Sequence, residues 1–331
     1  MFLNFNEKSR DNLPDFSFLT KYDNLNQLIE TINFKGLNFD VLRLDLINEF
    51  WGGNKLFKLI ENIKYVVKNN FQGVITFGGA NSNHIYSTVA LCNKLNIPCV
   101  ICVRGLQDFA TTSTLLFAEK NGAKIYYLNR TDYKNKTSTN FINYLMQLFP
   151  NYHLIPEGGN NFLGIKGCET ILSTINETYK TIFCACGTAT TFTGIYSSLK
   201  NEQTLIGISV LKGENKLIDN VNQNLNELKS NKLKINEWNN KSEINHSTIL
   251  NNYAFNGYAA FNTSLIEFKH NFESLTQIPL DYIYTSKLFY GAIDLMLNKK
   301  INSNEKTLII HCGGLQGNLD FEKRYQLSAK R

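Results

Sequence analysis

The chain has 331 residues, of which 43% are hydrophobic and 19% charged, with a formal net charge of +6. That supplies a large core and length for two domains, and it excludes a wholly disordered chain. The lysines are dispersed instead of forming a block, which argues against a nucleic-acid partner, and no run of about 18 apolar residues is present to cross a membrane.

The N-terminal stretch Met1 to Lys8 lacks a basic segment followed by an apolar run, so the expectation is a soluble cytoplasmic protein. After this polar start, Phe39 to Leu46 alternates like a strand. Gly52-Gly53 then turns the chain into a helix with Leu56, Leu59, Ile60, Ile63 and Val67 on one stripe. Strands at 73–77, 98–103, 124–128 and 152–155 alternate with helices at about 83–95, 113–121 and 140–148. The alternation continues with a helix at 164–175, a strand at 181–186, a helix at 191–199 and a strand at 204–210. Strand and helix lengths of this kind read as βαβ units and a parallel sheet.

From 212 to 247 the composition turns to Asn, Lys and Glu, with a helix at 217–228, and reads as a surface excursion. Helices at 264–275 and 286–297 follow, and 306–310 is a last buried strand. Seven cysteines, mostly in apolar runs, are expected as free core thiols. Cys99 and Cys102 have C-x-x-C spacing but lie within a strand-like run, whereas a redox pair belongs at a helix N-terminus. No metal site is expected.

Ligands of doubly wound sheets bind at the carboxyl ends of the strands. Four loops rich in glycine or hydroxyls occupy such places: 78–84, 156–160, 187–191 and 311–314. Gly52-Gly53-Asn54-Lys55 adds a lysine in the first turn of a helix, where the macrodipole favours the neutral amine, as a Schiff-base former requires. The same four residues also read as a surface turn with a solvated lysine. Gly187-Thr188-Ala189-Thr190-Thr191, between a strand and a helix, offers hydroxyls and backbone N–H groups as a phosphate cradle; its threonines also read as helix caps. No nucleotide P-loop ending and no G-x-G-x-x-G follow the strands, which argues against ATP and dinucleotides. A lysine plus a phosphate cradle points to pyridoxal 5′-phosphate.

Gly52 to Lys55 with Lys58, Gly78-Gly79-Ala80-Asn81-Ser82-Asn83-His84, Gly187 to Thr191, and Asp281 to Lys287 recur in this order in one family. Over about Val41 to Gly317 the chain resembles the 1-aminocyclopropane-1-carboxylate deaminase and D-cysteine desulfhydrase family. The resemblance implies an α/β fold of type II, tryptophan synthase β-subunit-like, with parallel sheets flanked by helices. It implies a smaller α/β domain at 56–159 inserted in a larger pyridoxal-phosphate-binding domain at 1–55 and 160–331, and a homodimer.

By the same resemblance, Lys55 carries the cofactor as a Schiff base and moves the Cα proton. Asn83 bonds the cofactor's phenolic oxygen. Ser82, Asn83 and the neighbouring backbone receive the carboxylate of a small amino-acid substrate, and His84 supports that site or packs as a neutral ring. Gly187, Thr188, Ala189, Thr190 and Thr191 surround the phosphate, although family members usually have glycine at position 189 or 190. Tyr258 and Tyr284 match the family's two active-site tyrosines; Tyr258 also reads as a core aromatic.

Two positions bear on the reaction. The deaminases place a glutamate at the pyridine nitrogen and a leucine in the H-x-G-G turn, and the desulfhydrases a hydroxyl residue and a threonine. Here Thr285 and Cys312 occupy them. A neutral hydroxyl stabilises less ring charge than a carboxylate, which suffices when a good leaving group departs from Cβ. The expected activity is therefore D-cysteine desulfhydration, with 1-aminocyclopropane-1-carboxylate deamination as the rival and a non-catalytic binding protein as a rival of another class.

Overall fold

A computed structural model describes residue 16 and residues 24–105, 112–231, 247–302 and 304–327. The polar first segment, apart from Phe16, and residues 232–246 of the Asn-rich stretch lie outside the described residues.

The chain opens with a hairpin, β1 (Ile29–Phe34) and β2 (Leu37–Arg43). Both turn residues have positive φ, Lys35 at 52° and Gly36 at 78°, the conformation whose twist matches paired strands. The sequence reading missed β1 because Glu30, Thr31 and Asn33 are polar; on this edge strand Thr31 and Asn33 face outward, while Glu30 on the other face pairs with Arg43. The strand expected over 39–46 ends at Arg43, and Leu44–Leu46 coils into a 3-10 turn.

Beyond it come α1 (Asn54–Lys68), β3 (Gly73–Gly79), α2 (Asn83–Lys94), β4 (Cys99–Arg104), α3 (Ser113–Lys120) and β5 (Lys124–Leu128). The short α4 (Arg130–Lys134), α5 (Thr139–Leu148), β6 (Tyr152–Ile155) and α6 (Phe162–Ser173) lead to β7 (Thr181–Cys186), α7 (Thr190–Ser197) and β8 (Thr204–Ser209). The described chain closes with α8 (Glu214–Ser230), β9 (Thr248–Leu250), α9 (Thr263–Thr276), α10 (Thr285–Leu297), β10 (Thr307–His311) and α11 (Asn318–Tyr325).

These strands form two sheets, one in the order β1-β2-β10-β7-β8-β9 and one in the order β5-β4-β3-β6. Every pairing except β1 with β2 is parallel. Parallel strands are covered on both faces, and β7 is buried at all its residues. Alternation decides which core each side chain joins: Leu308 and Ile310 of β10 pack with Leu56, Leu59, Ile165 and Ile195, while Ile309 packs with Phe183, Leu288 and Phe289.

Glycines let the helices on the first face approach closely. A Cβ on Gly167 of α6 would lie 1.8 Å from the Phe57 carbonyl oxygen of α1, and one on Gly194 of α7 would lie 2.4 Å from Cβ of Cys168. Three helices are thereby seated as one layer.

The Asn-rich stretch is not a surface excursion over 214–230. Leu217, Val221, Leu225 and Leu228 of α8 are buried at helical spacing, and so is Asn224. All seven cysteines are free, and Cys99 and Cys102 lie within β4. Among the described residues no three His, Cys, Asp or Glu side chains are placed to hold a metal, and no helix is long and apolar enough to cross a membrane.

Candidate active site

The loops after β2, β3, β6, β7 and β10 converge at the carboxyl ends of their strands, where a parallel α/β sheet presents ligands. The Gly52-Gly53 turn is fitted against the loop after β10. Gly53 has φ 77°, and a Cβ there would lie 2.3 Å from the Cys312 carbonyl oxygen. That carbonyl accepts from the Asn54 N–H at 3.3 Å, and Gly53 N–H donates to the Leu44 carbonyl at 2.8 Å.

The anchored turn aims Asn54 and Lys55. The buried Asn54 amide donates from Nδ2 to Thr191 Oγ1 at 2.8 Å, and its Oδ1 accepts from Lys55 Nζ at 3.0 Å. One side chain thus joins the lysine of α1 to the threonine bend of α7. Lys55 Nζ lies 5.6 Å from the centre of the Tyr284 ring. Lys55 is half-buried, deeply enough that desolvation lowers its pKa against the opposing pull of Cys312, Cys168 and Asp281. The solvated-turn reading of Lys55 is excluded.

The bend at 187–191 is tied together by its hydroxyls. Thr188 Oγ1 lies 3.0 Å from Thr190 Oγ1, and Thr190 donates to Asn160 Oδ1 at 2.7 Å. From α8, Asn224 Nδ2 reaches Asn160 Oδ1 at 3.1 Å and Thr193 Oγ1 at 3.3 Å. The threonines do not cap α7; its N-cap is Ala189, at φ 68°, with no side-chain cap. That left-handed backbone is one that glycine adopts without strain. Lys58 Nζ donates to Thr188 Oγ1 at 3.4 Å, is 4% exposed, and has its pKa brought down to about 7 by burial and then by the charge of Lys55. The buried Lys58 amine and the half-buried Lys55 amine, with no carboxylate in ion-pair contact among the described residues, stand beside a helix N-terminus in an arrangement that fits a phosphate dianion.

The opposite wall is the start of α2. Ser82 is its N-cap, its Oγ accepting from Ile85 N–H at 3.3 Å. Asn83 Oδ1 accepts from Gln316 Nε2 at 2.7 Å. The His84 ring is buried and faces Thr76 Oγ1 at 2.8 Å; that hydroxyl donates to the Ile155 carbonyl at 2.9 Å, so Nε2 carries the hydrogen. Burial and then the charges of Lys55 and Lys58 put the His84 pKa well below its ordinary value, and the ring is neutral. Among the described residues, its Nδ1 and the Oδ1 of Asn81 are buried without a partner.

Tyr284 lies between these walls, its Cε1 3.2 Å from where a Cβ of Gly187 would stand. Desolvation holds its phenol protonated, well above the ordinary tyrosine value. Tyr258 meets it edge-on at 6.2 Å and is 49% exposed, at the mouth rather than in the core. A cleft lined in part by Asn81, Asn83, Tyr258, Asp281, Gly314 and Arg324 opens beside Tyr258.

Thr285 is fully buried, and its hydroxyl accepts from Asp281 N–H at 2.6 Å and donates to Asp281 Oδ1 at 2.8 Å. Cys312 is half-buried, its thiol kept neutral as burial pushes its pKa up to about 12. Contacts therefore connect Lys55 to the bend through Asn54 and to Tyr284, and Tyr284 to Gly187 and Tyr258, while only Asn83 and Tyr258 of the expected site residues line the cleft and the Thr285 hydroxyl turns inward to Asp281.

Sequence reading gave no role to Lys58, Asn160, Asn224, Asp281 or Gln316. Lys58 was accessible, since i and i+3 residues share a helix face. A support of the bend by Asn224 depends on α8 folding back, which spacing does not reveal.

The profile of the family described as "Pyridoxal-phosphate dependent enzyme" matches residues 28–313. A Thermotoga maritima protein provisionally named 1-aminocyclopropane-1-carboxylate deaminase is 26% identical over 293 residues, covering 85% of this chain and 90% of that one. A mitochondrial Arabidopsis thaliana protein named bifunctional D-cysteine desulfhydrase/1-aminocyclopropane-1-carboxylate deaminase is 27% identical over 311 residues, covering 86% and 74%. Among solved structures, an ACC deaminase homologue superposes with a TM-score of 0.77 at 22% identity, covering 96% of this chain and 99% of that one. A lysine amine fastened to a hydroxyl-lined bend, in a chain matched over most of its length, leads to one assignment: the chain belongs to the family of pyridoxal-phosphate-dependent enzymes.

Proposed function

We propose that the protein eliminates sulfide from a small β-thiol amino acid, D-cysteine being the best fit, to give pyruvate and ammonia after hydrolysis. The observation that carries the reading is the Asn54 bridge, 3.0 Å to Lys55 Nζ on one side and 2.8 Å to Thr191 Oγ1 on the other. Pyridoxal phosphate supplies an electron sink for the carbanion formed at the substrate's Cα.

The residues would divide the work as follows. Lys55 would hold the cofactor covalently, and its amine would take the Cα proton. Gly187 to Thr191 and Lys58 hold the phosphate. Ser82 and the N–H groups opening α2 receive the substrate carboxylate. Asn83 donates to the ring oxygen, and Tyr284 and Tyr258 offer neutral O–H groups on the leaving-group side. Thr285 itself is a neutral hydroxyl, which supports elimination of a good leaving group over ring opening, while the carboxylate at the start of α10 is that of Asp281, engaged by the N–H groups of Ile283, Tyr284 and Thr285. Residues 56–159 would act as a smaller inserted domain.

The names of the relatives favour a second reading, deamination of 1-aminocyclopropane-1-carboxylate to 2-oxobutanoate and ammonia. Purified holoenzyme assayed with D-cysteine, L-cysteine and the cyclopropane acid tests the order. Higher kcat/KM for D-cysteine is expected, and a preference for the cyclopropane acid reverses the assignment.

A further inference from the structure

An amide side chain has two unlike ends, a carbonyl that accepts and an NH2 that donates. Which end of Asn83 meets the cleft depends on what holds the other. Gln316 lies in the 3-10 turn Leu315–Gly317, between the loop after β10 and α11. Its Nε2 donates to Asn83 Oδ1 at 2.7 Å, across 233 positions of sequence. Among the described residues the Asn83 NH2 has no protein acceptor, and its nitrogen lies 2.5 Å from where a Cβ of Gly314 would stand, on the lining of the cleft.

The turn that carries Gln316 is anchored on both sides. Gly317 N–H donates to the Gly314 carbonyl at 3.3 Å, and Asn318 Nδ2 donates to the Leu280 carbonyl at 2.9 Å. One helical turn on, Asp320 Oδ2 accepts from Ser113 N–H at 2.9 Å and Ser113 Oγ at 2.7 Å, joining α11 to α3. The Gln316 donor is therefore presented to Asn83 from a fixed backbone.

We propose that Gln316 is a positioning residue: by occupying the Asn83 carbonyl it turns the Asn83 NH2 toward the cofactor's ring oxygen. This rests on the reading that Asn83 faces that oxygen. A donor to the oxygen favours its anionic form and lowers the pH at which the visible absorption of the bound cofactor changes; losing or misdirecting the donor raises that midpoint.

The test is a spectroscopic pH titration of the holoenzyme in wild type, Asn83→Ala, Gln316→Leu and the double variant, with thermal unfolding measured on each. Asn83→Ala is expected to raise the midpoint by about one pH unit, and Gln316→Leu by roughly half of that. In the double variant Gln316→Leu adds nothing, because its effect passes through Asn83. If Asn83→Ala moves the midpoint and Gln316→Leu only lowers thermal stability, the positioning role is overturned while the Asn83 reading stands. Additive shifts overturn it equally, since Gln316 would then act directly. No shift in Asn83→Ala removes the reading and the proposal with it. Gln316→Ser is read by the same criteria should the leucine variant not fold.

Discussion

The threonine bend and the mouth of α2 both lie close to Lys55 and Lys58 of α1, and they differ in how their polar atoms are matched. At the bend, Lys58, Thr188, Thr190, Asn160, Asn224 and Thr193 bond in a chain reaching from α1 to α8, and Asn54 separately bonds Thr191. At the mouth of α2, the Asn81 Oδ1 and His84 Nδ1 are buried with no partner among the described residues, and Asn83 lines the cleft. A matched hydrogen-bond network is preset, whereas buried unmatched acceptors keep their desolvation cost until something else supplies donors. The bend is built to keep one ligand in place; the α2 wall is built to exchange partners.

The sharpest way to break the comparison is to remove the group between the two walls. Lys55→Ala is expected to lower turnover by about 1,000-fold or more while leaving the bend able to take the phosphate. Steady-state rates together with borohydride labelling check this, the label disappearing with the amine.

Next is the cation of the bend. Lys58→Met is expected to weaken cofactor affinity roughly 50-fold, from the loss of one charge-assisted contact. In wild type, Lys58 has a pKa of about 7 before the anion arrives, so binding above that pH must capture a proton. Affinity is expected to fall by about tenfold per pH unit above 7, up to the higher pKa of the bound state. Equilibrium titrations of cofactor between pH 6 and 9 show whether Lys58→Met flattens this limb.

A third prediction undermines both walls from beneath. Asp45 accepts from Arg43 at 2.7 Å and lies 2.9 Å from His311 Nδ1, below the turn that holds Asn54. His311 and Arg43 outweigh the desolvation of the carboxylate and hold its pKa at about 2. Because the folded value is depressed, the stabilisation is complete above pH about 4 and is lost as pH falls through 2. Asp45→Asn is expected to remove about 2 kcal/mol and to blunt the acid limb in denaturant titrations from pH 7 to 2.

The smallest effect sharpens the account of the bend. Ala189 stands in the left-handed region at φ 68°, and Ala189→Gly is expected to stabilise the protein by about 1 kcal/mol. A rise in thermal midpoint with unchanged cofactor affinity checks it; a fall would mean that the methyl, 2% exposed, carries packing that outweighs the strain.

The alternation of β3 to β6 with their helices was legible in the chain because apolar runs of strand length alternate there with helical stripes. β1 was not, since half its side chains are polar and only the Lys35-Gly36 turn marks it. In the site, Lys55 and the bend were legible from glycines and hydroxyls at strand ends. The support behind them was not: Asn224 sits in a stretch whose composition resembles a solvated tail, and Gln316 meets Asn83 through tertiary folding alone. Local chemistry is written in neighbours, and orientation is written in contacts between distant segments.

The place of β10 between β2 and β7 has a consequence for how the enzyme matures. A ribosome releases both flanking strands long before residues 307–311, so the sheet must wait with an empty slot in its middle. The carbonyl that receives Asn54 belongs to Cys312, directly behind that late strand. A nascent chain arrested ahead of β10 holds Lys55 on an unsupported turn, and vitamin capture is therefore a step that follows the closing of the sheet.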